Sequence, residues 1–473
     1  MNKPIAYDML VIGSGPAGQK AAVEAARSGA SVALIEKTRK LGGACVQRGT
    51  IPSKTLRENA LRVRNMRMNA QLSNFKLAED TELATLITRL NNVLNAHDEY
   101  MRKQLERTKV NLIHGRARFL SPQDVEVESV RGEKQTYSSG HILIATGSHP
   151  RKPPDIPVDH EHLFDSDSIL SMMYLPKSLT VLGGGVIASE YASIFQALGV
   201  SVTMIDKYPH PLGFLDNDLT QTFLNDFTQM GGTWKGNTKV TRCYWNGMDA
   251  VITECDNGTE VRSEKLLCAA GRVANVKELE IGNAGLELND RGLIDVDDQL
   301  ETQVRGIYAA GDVIGPPSLA SASMEQGRRA ACNSLEITSG LVHSVIPAGI
   351  YSIPELSSVG ISETHAREKF GDVFVGIARF DEIARGQISG ALNGMLKIVC
   401  DTDGKTILGI MIVGEGATEL IHIGQMALIN NSPVDIFVET VFNFPTLAEA
   451  YRAAALEIIH QRKSKASRIK AGF

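Results

Sequence analysis

Two stretches of this chain repeat one pattern on one ruler. Asp8 to Gly13 is a short apolar run ending on the tight turn Gly13-Ser-Gly15-Pro-Ala-Gly18; a small-residue helical segment, Gln19 to Ser28, then leads to a second apolar run, Ser31 to Ile35, closed by Glu36. Further on, "LTVLG" enters Gly183-Gly-Gly185-Val186-Ile187-Ala188, and a helical segment through Leu198 leads to "SVTMID", closed by Asp206. Gly13 to Glu36 is 23 positions, and Gly183 to Asp206 is 23 again. A GxGxxG turn alone is weak evidence. A turn that follows a strand, opens a helix and precedes an acid at the next strand's end is the βαβ unit of dinucleotide binding: the glycines let backbone approach a pyrophosphate at a helix N-terminus, and the acid receives ribose hydroxyls. Ala188 stands where a third glycine would, at a position that governs helix–strand packing and not phosphate contact.

One chain with two such units is built to hold two nucleotides, and the natural pairing is a flavin that stays with a nicotinamide that exchanges. With 473 residues the chain exceeds one core and allows two to four domains of roughly 100–200 residues. Helix-rich sequence from Lys54 to Thr108 leads to the strand-like "HILIATG", and a Pro-rich linker, His149 to Asp159, precedes the second unit. That unit closes near "LLCAAGR", Leu266 to Arg272, and "GIYAAGDVIGPPSLA" adds a strand ending on Gly311-Asp312. From about Ile346 alternating strands predict an antiparallel sheet with helices.

The remaining features narrow the partners to small molecules. A net charge of -5 spread along the chain gives no basic field for nucleic acid or an anionic membrane. No run of ~18 apolar residues predicts a membrane span, and no leader precedes the first strand, so a cytoplasmic protein is expected. Six cysteines without a CxxC or a Cys/His cluster predict neither a metal site nor a secreted disulfide framework.

The ordered set GSGPAG with Glu36, GGACVQRGTIPSK, ATG, GGGVIASE, AAGR, YAAGD and FPTLAEA resembles the flavin-dependent pyridine nucleotide-disulfide oxidoreductases over essentially the whole chain. Within that family, "GTIPSKTLRE", "DVIGPPSLASA", "QGR", "IYSIPE" and a non-histidine aromatic before "PT" are most similar to the soluble pyridine nucleotide transhydrogenases. The resemblance implies an α/β fold of two Rossmann-like domains, for FAD (1–152 and 273–344) and NAD(P) (153–272), with a C-terminal α+β interface domain (345–473) that makes a homodimer or larger homo-oligomer. It implies FAD on Gly13, Gly15, Gly18, Glu36, Lys37, Gly43, Cys45, Thr50, Lys54, Gly115, Thr146, Gly147, Asp312, Leu319 and Ala320. NAD(H) or NADP(H) is implied on Gly183, Gly185, Val186, Ile187, Glu190, Asp206, Lys207 and Gly271. Lys54, paired with Glu190 beside the flavin, is the candidate catalytic pair.

Two departures from the family define the expected chemistry. Its disulfide reductases carry C-x4-C, yet here Cys45 holds the outer place and Thr50 the one nearer the flavin. Thiol–disulfide exchange needs a second sulfur, which a hydroxyl cannot replace. The family's proton-carrying His before Pro-Thr is Phe444 here, with Glu449 left behind; a phenyl ring carries no proton. Without the disulfide, hydride taken from NADPH has a second nicotinamide nucleotide as its simplest acceptor, a ping-pong transhydrogenation. Asp206 favours a free ribose diol, whereas Lys207 and His210 could offset its repulsion of a 2′-phosphate. Two rivals stand beside this reading: an NAD(P)H dehydrogenase feeding a quinone or dye, and a non-enzymatic flavin-bound assembly subunit.

Overall fold

The computed structural model describes residues 3–73, 83–340 and 344–470. Its frame is two parallel five-stranded sheets of the same design. In the first, the order is Ile307–Ala309, Ile142–Ile144, Met9–Ile12, Val32–Glu36, Asn111–His114. In the second it is Leu163–Asp165, Lys265–Cys268, Ser178–Leu182, Ser201–Ile205, Thr233–Lys235. Each fingerprint strand is central, so chain order reverses on either side of it, and such a switch point opens a crevice at the strands' C-terminal ends. Met9–Ile12 is buried at all four positions, as helix-covered parallel strands must be.

The first sheet takes strands from both sides of the second. The chain leaves and returns through Ser148–Pro150 and Arg272–Ala274, which pair antiparallel, so part of the Pro-rich linker is a ladder. The first fingerprint helix runs Pro16–Arg27, starting earlier than the sequence reading because Pro16 suits the first helical turn.

The two turns differ where their third small residues differ. A methyl on Gly18 would lie 1.8 Å from the Gly13 carbonyl oxygen, so only glycine fits. In the second turn the Ala188 methyl sits 3.8 Å from where a Cβ on Gly183 would be, and alanine is accommodated. Gly13 and Gly183 both take positive φ, +103° and +111°, and each backs onto a neighbouring strand's carbonyl, at Ala145 and Ala269. That conformation is closed to other residues without strain.

The C-terminal part is an antiparallel sheet in the order Ala348–Ile350, Leu356–Gly360, Ile407–Val413, Met395–Cys400, Phe374–Arg379; the alternation expected of its strands fails along Met395–Cys400, a central strand buried at all six positions, and shows instead along the edge strand Phe374–Arg379. Helices Ala417–Ile429 and Glu449–Lys470 cover it, and Tyr451, Phe380 and Ile458 form its core. Lys397, 1% exposed, is held between this sheet and the second parallel sheet's helix Asn217–Gln229 by Asp216 at 3.0 Å, Asp218 at 2.8 Å and Glu363 at 3.0 Å. Among the described residues no helix is long and apolar enough to cross a membrane.

Candidate active site

A single cavity of 1740 Å³ runs along the C-terminal edge of the first sheet and reaches into the second fingerprint. It exceeds the roughly 300–1,000 Å³ of a typical small-ligand site and has room for an extended dinucleotide. At one end Glu36, 5% exposed, closes its strand. Its carboxylate accepts from the Ser14 amide at 2.9 Å and hydroxyl at 2.7 Å, and from the Thr38 amide at 2.8 Å and hydroxyl at 2.9 Å. Four donors fix that acid in the ribose-binding place of a βαβ unit. Lys37 beside it also lines the cavity, with its ammonium 3.0 Å from Glu278.

Gly15 caps the helix Pro16–Arg27, and no heavy atom lies within 4 Å of where its Cβ would be. That open side at a helix N-terminus suits a pyrophosphate. Gly13, Gly43 and Gly115 line the wall with it. Gly18 lies outside the wall, packed on Gly13.

Further along, Thr146, Gly147, Asp312, Leu319 and Ala320 line the cavity. The Thr146 hydroxyl is buried without a protein partner, and Leu319 caps the helix Ala320–Ser334 without a side-chain bond, leaving its first amides free. Asp312 accepts from the Ser148 hydroxyl at 2.6 Å, and Ser148 accepts from Arg272 Nε at 2.8 Å. Arg272 also reaches Asp167 at 2.9 Å, and Asp167 lies 3.4 Å from Arg48. The sequence reading missed Ser148, Asp167 and Arg272; "AAGR" pointed to Arg272 without a partner for it.

Where the fingerprints meet, Lys54 Nζ donates to both Glu190 oxygens, at 2.8 and 2.7 Å. Lys54 enters on the helix Thr50–Ser73 and Glu190 on Val186–Ala197. The Tyr351 amide donates to Glu190 at 2.9 Å, and Lys54 Nζ stands 4.8 Å from the centre of the Tyr351 ring. Cys45 and Thr50 face the same space, and the Thr50 side chain lies close enough to the Cys45 sulfur to act on its titration. Burial pushes the Cys45 thiol up, against the smaller opposing pulls of Thr50 and Lys54, so it stays protonated and weakly nucleophilic at neutral pH. Phe444 is 74% exposed and outside the cavity, and Glu449 takes a local bond from the Thr446 amide.

The second fingerprint is divided. Val186, Ile187 and Glu190 line the cavity, while Gly183, Gly185, Asp206, Lys207 and Gly271 lie beyond its wall. Asp206 accepts from the Tyr208 amide at 3.0 Å. Lys207 and His210 are exposed, and Lys207 Nζ lies 4.9 Å from the Tyr208 ring centre, not on Asp206.

Residues 7–327 match the pyridine nucleotide-disulphide oxidoreductase family, and residues 346–455 match its dimerisation domain. The chain belongs to this family. Its fold, two dinucleotide-binding sheets followed by an antiparallel dimerisation-type sheet, is that of the pyridine nucleotide-disulphide oxidoreductases. The soluble pyridine nucleotide transhydrogenase of Mycobacterium bovis is 42% identical over 97% of this chain and 98% of that protein. The transhydrogenase of Colwellia psychrerythraea is 39% identical over 96% and 98%, and that of Pseudomonas putida (strain W619) 39% over 95% and 98%. Among solved structures, the Escherichia coli flavoprotein disulfide reductase RclA superposes with TM-score 0.87 at 27% identity, over 96% of this chain and 99% of that one. LpdA from Mycobacterium tuberculosis gives 0.87 at 26%, over 95% and 99%. The cavity thus joins the glycine-lined end of the first fingerprint to the Val186, Ile187 and Glu190 side of the second.

Proposed function

We propose that this chain is a FAD-dependent soluble pyridine nucleotide transhydrogenase that moves hydride between NADPH and NAD+ by a ping-pong course. The observation that carries the reading is the Cys45–Thr50 pair: the disulfide position of the fold holds one protonated thiol and one hydroxyl. FAD, when bound, supplies the two-electron relay, accepting hydride from one nicotinamide nucleotide and returning it to the next. Glu36, the open face of Gly15, Thr146 and Asp312 would hold it, through the 1–152 and 273–344 portions of the chain. Residues 153–272 would take the exchanging nucleotides, with the ribose at Asp206 and the nicotinamide against Val186 and Ile187. Lys54 and Glu190 would hold a fixed ammonium at the reacting edge and keep water out of it. The names of the near-full-length relatives support the activity.

Residues 345–473 would join two copies into a homodimer, as the match to a dimerisation domain supports. A cytoplasmic location fits six cysteines that are all unpaired. The test is steady-state turnover of the purified yellow protein with NADPH against an NAD+ analogue, lipoamide, glutathione disulfide and a quinone. Transfer to the NAD+ analogue with inert disulfides supports the proposal; quinone reduction outrunning nicotinamide transfer replaces it with a dehydrogenase.

A further inference from the structure

Two motifs that resemble the transhydrogenases, "GTIPSKTLRE" and "IYSIPE", stand about 295 positions apart in sequence and meet in space. Arg57, on the same helix as Lys54, donates from Nε to the Ser352 carbonyl at 3.0 Å and pairs with Glu355 at 2.9 Å. Both side chains are nearly buried, 8% and 11% exposed. Glu355 also accepts from the Thr418 amide at 3.1 Å and hydroxyl at 2.9 Å, and the Ile353 amide donates to Ser193 Oγ at 3.0 Å. The segment from Tyr351 to Glu355 is therefore fastened at both ends, to the helix carrying Lys54 and to the helix carrying Glu190.

Its first residue faces the reacting end of the cavity. The Tyr351 amide holds Glu190, and its ring covers the Lys54 ammonium. A lysine ammonium is a point charge on a flexible stem, and one carboxylate with a 3.3 Å bond to the neighbouring Ser53 Oγ does not fix where that stem places it. An aromatic face attracts the cation from a second direction. We propose that Tyr351 is a positioning residue for hydride transfer, its ring pinning Lys54 between Glu190 and the cavity, with Arg57 and Glu355 as the clamp that holds the ring there. The proposal rests on the reading that FAD and a nicotinamide meet at this end of the cavity.

The consequence is electrostatic. An ammonium fixed beside the flavin stabilises its reduced, more anionic form, so freeing Lys54 lowers the flavin midpoint potential. The test compares holoprotein of the parent, Tyr351→Leu, Tyr351→Phe and Arg57→Lys. The readouts are FAD content, thermal midpoint, the two-electron potential by anaerobic dithionite titration against a reference dye, and kcat and KM for NADPH. Tyr351→Leu is expected to keep its FAD and to lower the potential by about 30 mV, tenfold in the reduction equilibrium, with kcat falling and KM nearly unchanged. Tyr351→Phe, which keeps the ring, holds the parent's potential. Arg57→Lys keeps the charge but gives up the guanidinium fork, and shifts the potential the same way by a smaller amount. Should Tyr351→Leu fail to fold, Arg57→Lys decides. An unshifted potential in the folded variants, or a loss confined to FAD content and thermal midpoint, overturns the proposal. A parent that NADPH does not reduce removes the functional reading instead, and the dithionite titrations still decide this one.

Discussion

Lys54 Nζ and the Glu190 carboxylate lie 2.7 Å apart although 136 positions separate them in the chain, and the pair joins the helix Thr50–Ser73 to the helix of the second fingerprint. Both residues line the cavity, with side-chain exposures of 24% and 6%. The ion pair is therefore part of the wall against which a nicotinamide and a flavin would stack. The pair is in place in a chain that holds Cys45 and Thr50 where the family's disulfide reductases hold two cysteines.

Glu36 and Asp206 are expected to have separable effects, because each closes a different βαβ unit. Glu36→Gln retains the shape but weakens FAD retention by about tenfold or more, ~1.4 kcal/mol for each factor of ten. Asp206→Ala keeps the flavin and shifts preference from NAD(H) toward NADP(H) by a similar factor, since a carboxylate that repels a 2′-phosphate is gone. Flavin content and the ratio of kcat/KM values for the two nucleotides check both. A flavin-free Asp206→Ala would mean that the two units are assigned the wrong way round.

Cys45→Ser is expected to keep NADPH-to-NAD+ turnover within about threefold, well under the ~2.7 kcal/mol of barrier that a hundredfold loss represents. The thiol is held protonated by burial, and its neighbour Thr50 cannot form a disulfide with it. Reductive titration of the parent should pass from oxidised to fully reduced flavin without a stable long-wavelength thiolate-to-flavin band. A hundredfold loss with FAD still bound would place the thiol in the chemistry.

Lys397→Met is expected to destabilise the protein by roughly 3 kcal/mol at neutral pH, because it leaves the buried Asp216 carboxylate without its cation. Burial pushes Asp216 up, but the Glu363 amide and Lys397 outweigh it and hold that carboxyl below its usual range; Lys397 and Arg367 do the same for Glu363. These depressed groups contribute stability above their ordinary carboxylate range and lose it as pH falls through their lowered values. In the variant the stranded Asp216 carboxylate instead gains by protonation. The gap in thermal midpoint between parent and variant should narrow from pH 7 toward pH 4; a gap that stays constant would show that Lys397 matters only for packing.

Much of the frame was legible because it is local. Equal spacing from Gly13 to Glu36 and from Gly183 to Asp206 reports two copies of one βαβ unit, and both form, each with its fingerprint strand at the centre of a sheet. The Lys54–Glu190 contact came from family resemblance, since nothing in spacing alone brings the two helices together. Long-range bonds were not legible. Nothing in the sequence singles out Arg57, yet it is buried against Glu355 and the Ser352 carbonyl. Arg272 reads as the end of a strand motif, yet it reaches Asp312 through Ser148. Gly18 and Ala188 occupy equivalent places, and only the distance to the preceding turn shows why one must be glycine.

The most direct test separates the two half-reactions. The oxidised holoprotein is mixed anaerobically with NADPH, freed of released NADP+, and then mixed with NAD+, while flavin absorbance is followed by stopped flow. Bleaching by NADPH and full recovery with NAD+, each fast enough to support turnover, is the result the account predicts. A flavin that bleaches but does not recover with NAD+, and recovers only with a quinone or disulfide, would contradict it.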